Sequence, residues 1–292
     1  TNGFYAMKAH WSEHPDRDEP WAEAEKSRIG EERFRREHEC EFLIFDETLV
    51  SSIVLADMEG VPPIETTGQV RWFKRPTPGH TYMVSLDPSM GTGGDYAAIQ
   101  VFELPTFEQI GEWQHNQTPM NQQVRILQGI NKHIHDTIME KDATATPQIF
   151  YSMENNSIGE AALMRVMDIG EENIMGMFLS EPIRKGHRRK FRRGFNTTAK
   201  HKIDACTKFK ELVENDKMKI NSTLLISELK DFVASGMSYS AKPGQHDDLV
   251  SSCLLMTRMM KVLADFDPKI FEKWTDRTSE ITPMPIFGSF TG

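Results

Sequence analysis

Three acidic positions could carry chemistry if the fold brings them together. They are Asp87 in VSLDPSMGTGGDYAAIQVF, Glu154 in YSMENNSIGEAAL, and the pair Asp247 and Asp248 in GQHDDLVSSCLLM. Asp87 closes an apolar, β-rich run, and the loop after it holds Gly91, Gly93, Gly94 and a second acid, Asp95. A carboxylate at the end of a buried strand is costly unless something pairs with it. Two readings of Asp87 therefore compete: ordinary turn chemistry before glycine, or a side chain that faces a cation. The other acids have bland counterparts too. Glu154 precedes NNS, which suits a turn or cap, and Asp247 or Asp248 suits a helix N-cap. Gathered at one place, these carboxylates would repel one another unless divalent cations neutralised them. Mg²⁺ and Mn²⁺ take carboxylate oxygens and keep open water positions. Two such ions about 4 Å apart can ionise a water and stabilise the leaving oxygen of a phosphodiester. Helix phase favours Asp248 as the ligand, with Asp247 as cap or alternate; Asp95 is either an outer ligand or a turn cap.

A second chemical signal is cationic. Residues 184–193, RKGHRRKFRR, contain Arg184, Lys185, Arg188, Arg189, Lys190, Arg192 and Arg193 and no acid, and Lys200 and Lys202 extend the run. The formal net charge of −9 argues against nucleic acid as a partner until this uneven distribution is considered. A charge run is often only a solvated face. Here Phe191 and Phe195 interleave with the cations, and Gly186 and Gly194 loosen the backbone, which suits a loop laid on a phosphate backbone. Contacts of that kind carry little sequence preference.

The elements that must position these groups are legible as periodicity. Residues 80–87, 96–103 and 109–116 read as three strands in a meander, and 119–141 as an amphipathic helix with Val124, Leu127, Ile130, Ile134 and Ile138 on one face. A strand at 148–154, a helix at 157–168 and a strand at 173–180 follow. The basic loop leads to a helix near 197–216, a short KMKI strand, a helix near 222–234 and a last helix from about 247 to 264. This order predicts an α/β fold with a mixed sheet flanked by helices on both faces. Asp87 and Glu154 would then stand side by side at the carboxyl edge of adjacent strands, where sites in open sheets form. Residues 1–60 read as a small helical segment, and GVPPIETTG at 60–68 places a linker at 61–69. The main domain spans 70–264, and 265–292 reads as an extended or mobile tail. The chain starts without methionine, as an excised piece of something longer would. No run approaches the roughly 18 apolar residues of a membrane span, and the first residues lack the order of a secretion signal. A cytoplasmic protein is expected, with Cys40, Cys206 and Cys253 as free thiols.

In this order, the three acid-bearing motifs resemble the nuclease motifs of the large terminase subunit of tailed bacteriophages, most like those of contractile-tailed myoviruses, over roughly 70–264. EPWAEAEKSRIGEERFRREHECEF also resembles the end of that family's ATPase region. The resemblance implies a ribonuclease H-like fold, akin to RuvC resolvases, that cuts concatemeric double-stranded viral DNA with little sequence specificity. Asp87, Glu154 and Asp248 would bind two Mg²⁺ or Mn²⁺ ions, with Asp95 accessory. Implied partners are DNA, a capsid portal, the small terminase subunit and other large-terminase copies, in the cytoplasm of an infected bacterium. One departure is plain: no GxxxxGK[ST] phosphate loop occurs, so no ATPase activity is expected from these residues. A Holliday-junction resolvase, an RNA–DNA hybrid nuclease and a non-catalytic DNA- or portal-binding module are the competing readings. A kinase-like or actin-like ATPase would need a second glycine-rich phosphate turn, and none is found.

Overall fold

The computed structural model describes residues 10–39, 47–182 and 193–266. Its centre is one seven-stranded mixed sheet. In chain order the strands are β1 (Glu65–Thr67), β2 (Val70–Trp72), β3 (Thr81–Asp87), β4 (Ala97–Leu104), β5 (Glu108–His115), β6 (Gln148–Met153) and β7 (Met177–Phe178). In space they run β1-β2-β5-β4-β3-β6-β7. The strand β3 pairs antiparallel with β4 and parallel with β6, so the meander passes into a crossover through the long helix α4 (Met120–Lys141).

Strand periodicity of two sorts side chains onto the two faces. Tyr82, Val84 and Leu86 of β3 share a core with Val124, Leu127 and Ile130 of α4 and with Ala162 and Val166 of α5 (Ser157–Ile169). Met83 lies in the opposite core, built with α6 (Ala199–Glu214), α7 (Thr223–Asp231) and α8 (Asp248–Phe266) from Phe209, Leu225, Leu249 and Met256 among others. The same parity puts Ser85 and Asp87 on the α8 face. Phe150 of β6 also belongs to that core, and its parity carries Ser152 and Glu154 to the same side. A buried pair of hydroxyls fixes helix to strand there. Ser85 Oγ lies 2.8 Å from Ser252 Oγ and donates to Ser252 O at 2.9 Å, while Ser252 Oγ donates to Ser85 O at 3.1 Å.

Several short elements differ from the sequence reading. Residues 65–67, read as linker, form β1, which with β2 extends the sheet beyond β5. The expected strand at 173–180 reduces to the two residues of β7, preceded by a 3-10 turn at Glu171–Asn173. KMKI forms no strand; Lys219 makes one isolated bridge to Glu108. The helix expected to 234 ends at Asp231, because Phe232–Ser235 and Ser238–Ala241 form a hairpin, β8 and β9. Thr48 bridges to Val233 of that hairpin, and Leu49, Val50 and Leu55 pack into the α6–α8 core. The main core therefore reaches back across the boundary expected at 60, through α3 (Ser52–Asp57). Farther upstream, α1 (Glu19–Ile29) and α2 (Glu31–His38) enclose Trp11, Ala22 and Phe34. Cys206 and Cys253 are buried free thiols, whereas Cys40 and the tail from 267 lie outside the described residues. No described helix is long and apolar enough to cross a membrane.

Candidate active site

Asp87 ends β3, and Glu154 follows β6 directly, its N–H donating to Leu86 O at 3.1 Å. The parallel register that opposes Leu86 to Met153 makes the next residues on the two strands neighbours. Their carboxyl groups share a hydrogen bond, and Asp87 also lies in the fields of Asp248 and Asp247. Burial, and then the adjacent Glu154 carboxylate, push Asp87 well above the usual carboxylate range. Two carboxylates in contact repel one another, and a proton or a cation between them relieves that repulsion.

Glu154 is oriented by the helix that follows. Asn156 Oδ1 caps α5 by accepting from the N–H groups of Ile158 (3.0 Å) and Gly159 (2.8 Å), and Asn156 Nδ2 donates to Glu154 Oε2 at 3.2 Å. Gly159 is required at its position, because a Cβ there would overlap the Glu154 carbonyl. The loop after Asp87 is fixed by Gln123, whose Nε2 donates to Ser89 O (2.9 Å) and Thr118 O (2.7 Å). Gly91, at φ +68°, passes so close to Thr118 that no side chain fits.

Asp248 opens α8, which packs on the face of β3 and β4. Burial pushes its carboxyl up to about 6, with Asp247 and Asp95 adding to the rise and the Tyr96 N–H and His246 opposing it. Its Oδ2 is buried without a hydrogen-bond partner. Asp87, Asp95, Asp247, Asp248, Asn156 and His246 all line one cleft of about 260 Å³. Asp95 is exposed at its rim.

Asp247 does not cap α8 through its side chain, as helix phase suggested. Its Oδ2 instead accepts from Ala241 N–H at 3.3 Å and stands 3.9 Å from Lys202 Nζ. The cap is Glu228 of α7, a residue the sequence reading missed. Glu228 Oε2 accepts from the N–H groups of Leu249 (2.8 Å) and Val250 (3.1 Å). Nothing local in sequence marks a cap contributed from 21 and 22 residues away. His246 was also missed, although it adjoins the acid pair. Its ring packs edge-on against Tyr96 at 4.8 Å, and its Nδ1 lies 3.6 Å from Asp248 Oδ2.

Of the cations expected to meet DNA, Arg193 is engaged in an ion pair with Glu171. Lys202 stands between Asp247 and the ring of Phe232, and Lys200 is exposed. Arg184, Lys185, Arg188, Arg189, Lys190 and Arg192 lie outside the described residues.

The donor set suits a hard cation. The groups are oxygens, the Asp87 and Glu154 carboxyls adjoin, and a buried Asp248 oxygen accepts no hydrogen bond. Among the described residues no three His, Cys, Asp or Glu side chains already enclose a single point. Asp87, Asp95, Asp247 and Asp248 thus share one cleft without forming a ready-made cage, and Glu154 does not line it but adjoins it through its contact with Asp87.

Residues 84–259 match the family described as Terminase RNaseH-like domain. The chain belongs to this terminase family. The match contains Asp87, Glu154, Asp247 and Asp248. Among solved structures, the large terminase nuclease from thermophilic phage G20c is similar at 18% identity, with a TM-score of 0.53, covering 72% of this chain and 96% of that one. Structures of the same phage nuclease with bound magnesium and with bound cobalt match at the same identity and TM-score, each over 73% of this chain and 97% of the other. At this identity the likeness speaks for the fold: the ribonuclease H-like sheet of terminase nucleases, with helices on both faces.

Proposed function

We propose that this terminase domain is a metal-dependent endonuclease that cuts concatemeric double-stranded DNA during viral packaging, and that Asp87, Glu154 and Asp248 hold its divalent ions. The observation that carries the reading is the contact of the Asp87 and Glu154 carboxyls at the side of a cleft that Asp87 and Asp248 both line, with a buried Asp248 oxygen that accepts no hydrogen bond. Such an arrangement is unfavourable without a cation, and the related phage nuclease was crystallised with bound magnesium. Mg²⁺ or Mn²⁺ bound there would supply an ionised water and charge stabilisation for the leaving oxygen, with two ions sharing these tasks.

The chain's own residues do the rest. Asp87 and Glu154 would offer their adjacent carboxyl oxygens to the ions. Asn156 keeps Glu154 at the sheet edge, and Asp248 closes the opposite wall. Asp247 and the exposed Asp95 are outer carboxylates. Lys202, beside Asp247, offsets part of the acidic field where a phosphate would enter. Lys200 and the cationic run 184–193 supply sequence-independent phosphate contacts, so cleavage shows little base preference. Partners of this reading are DNA, a capsid portal, the small terminase subunit and further large-terminase copies, met in the host cytoplasm.

The test is cleavage of linear duplex, a four-way junction and an RNA–DNA hybrid in Mn²⁺ by the wild type and by Asp87→Asn, Glu154→Gln and Asp248→Asn. Duplex cutting that each substitution abolishes, with folding retained, is expected. Preference for the junction or the hybrid would overturn the packaging role, and near-normal cutting by a variant would remove that residue from the site.

A further inference from the structure

Glu228 is a half-buried carboxylate that touches none of the cleft acids and belongs to no motif in the sequence, yet its hydrogen bonds join the two halves of the site. One oxygen, Oε2, holds the N–H groups of Leu249 and Val250 in the first turn of α8, and the other, Oε1, accepts from Gln114 Nε2 at 2.8 Å. Gln114 lies on β5 directly opposite Ala98 of β4, and Ala98 lies directly opposite Asp87 of β3. Cross-strand partners share a face, so Gln114, Ala98 and Asp87 form one row on the α8 side. The path therefore runs from Asp87 across the row to Gln114, through the Glu228 carboxyl, and into the turn that begins with Asp248. We propose that Glu228 is a positioning residue that sets the separation of Asp248 from the Asp87–Glu154 pair, and with it the affinity of the cleft for a divalent cation. This inference rests on the metal-site reading given above.

The chemistry of the contact supports a role in spacing. Free N–H groups at a helix start can be satisfied by a side chain of the helix's own cap or by water. Here the acceptor belongs to a different helix and is tied at its other end to the sheet. A cap confined to α8 would hold the helix together without registering it against β3. Outer-shell partners that orient ligating groups typically change metal affinity or activity by about 10- to 100-fold when removed.

The experiment measures Mn²⁺ binding by titration calorimetry to the wild type, Glu228→Ala and Glu228→Gln, with melting in EDTA as a check on folding. Glu228→Ala is expected to bind Mn²⁺ about 10-fold or more weakly. Glu228→Gln should recover most of that affinity, since its carboxamide oxygen still accepts from the α8 N–H groups and Gln114 can turn its amide to match. Unchanged affinity in Glu228→Ala, or a Gln variant as weak as the Ala variant, would overturn the proposal. Should Glu228→Ala fail to fold, Gln114→Leu decides: it leaves the helix cap intact and cuts only the link to the sheet. A weaker Mn²⁺ affinity in that variant is expected, and wild-type affinity would overturn the spacing role. A wild type that binds no Mn²⁺ at all would instead defeat the metal-site reading itself.

Discussion

Asp87 and Asp248 stand where charge is disfavoured, and that is the physical signature by which residue types become a site. Asp87 is raised by burial and by Glu154, and Asp248 reaches about 6. Removing one repelling charge should therefore stabilise the metal-free protein: Asp87→Asn is expected to melt higher than wild type in EDTA, with the order reversed in Mn²⁺. The pH dependence has a definite sign. Glu228 has its folded pKa raised from 4.5 to about 8, chiefly by burial. A raised carboxyl contributes stability that is complete below its unfolded value and lost as pH rises through the folded one. Melting of the metal-free chain should accordingly fall as pH climbs from about 5 to about 8, and Glu228→Gln should flatten the upper part of that fall. A melting curve as steep in the variant would show that other groups carry it. Gly159 supplies a further sign test. Glycine to alanine inside a helix normally gains about 1 kcal/mol, but the added Cβ would overlap the Glu154 carbonyl. Gly159→Ala should lower the melting temperature and impair cleavage together.

The elements that carry the acids were largely legible, because long periodic segments reveal themselves. The meander, α4 and α8 follow from alternation and from three- and four-residue apolar spacing, and with them came the prediction that Asp87 and Glu154 share an edge. What escaped was short or long-range. The strands β1 and β2 are three residues each; β1 sits in the Pro/Gly/Thr-rich stretch read as a linker, and β2 follows it directly. The first strand of the β8–β9 hairpin takes over the end of the helix expected near 222–234, since alternation over four residues is too short to register against helical propensity. Glu228 could not be recognised as a cap, because its partners Leu249 and Val250 belong to another helix. The hydroxyl pair Ser85 and Ser252 is of the same kind: each is ordinary in its own segment, and together they pin α8 to the strand of Asp87. Ser252→Ala should destabilise the fold by about 1 kcal/mol. A double-mutant cycle with Ser85→Ala should be non-additive, by about 0.5 kcal/mol or more. Strict additivity would mean that the pair does not act as a unit.

At the scale of the whole molecule, an acidic protein of net charge −9 carries one concentrated cationic run in its sequence, at 184–193. In the proposed reading, divalent ions and these cations together offset the charge of a DNA backbone. Arg188→Ala, Arg189→Ala and Arg192→Ala combined should weaken DNA binding uniformly across sequences. They should also lower the salt slope by about 0.9 for each phosphate that is no longer neutralised; an unchanged slope would make the run a solvated face. Everything rests on whether the separated acids converge on a cation. The most direct measurement is anomalous scattering from a crystal of this chain soaked in Mn²⁺. A manganese peak bounded by Asp87, Glu154 and Asp248 is the expected result. A saturating soak that leaves the cleft without one, while these side chains are well ordered, would contradict it.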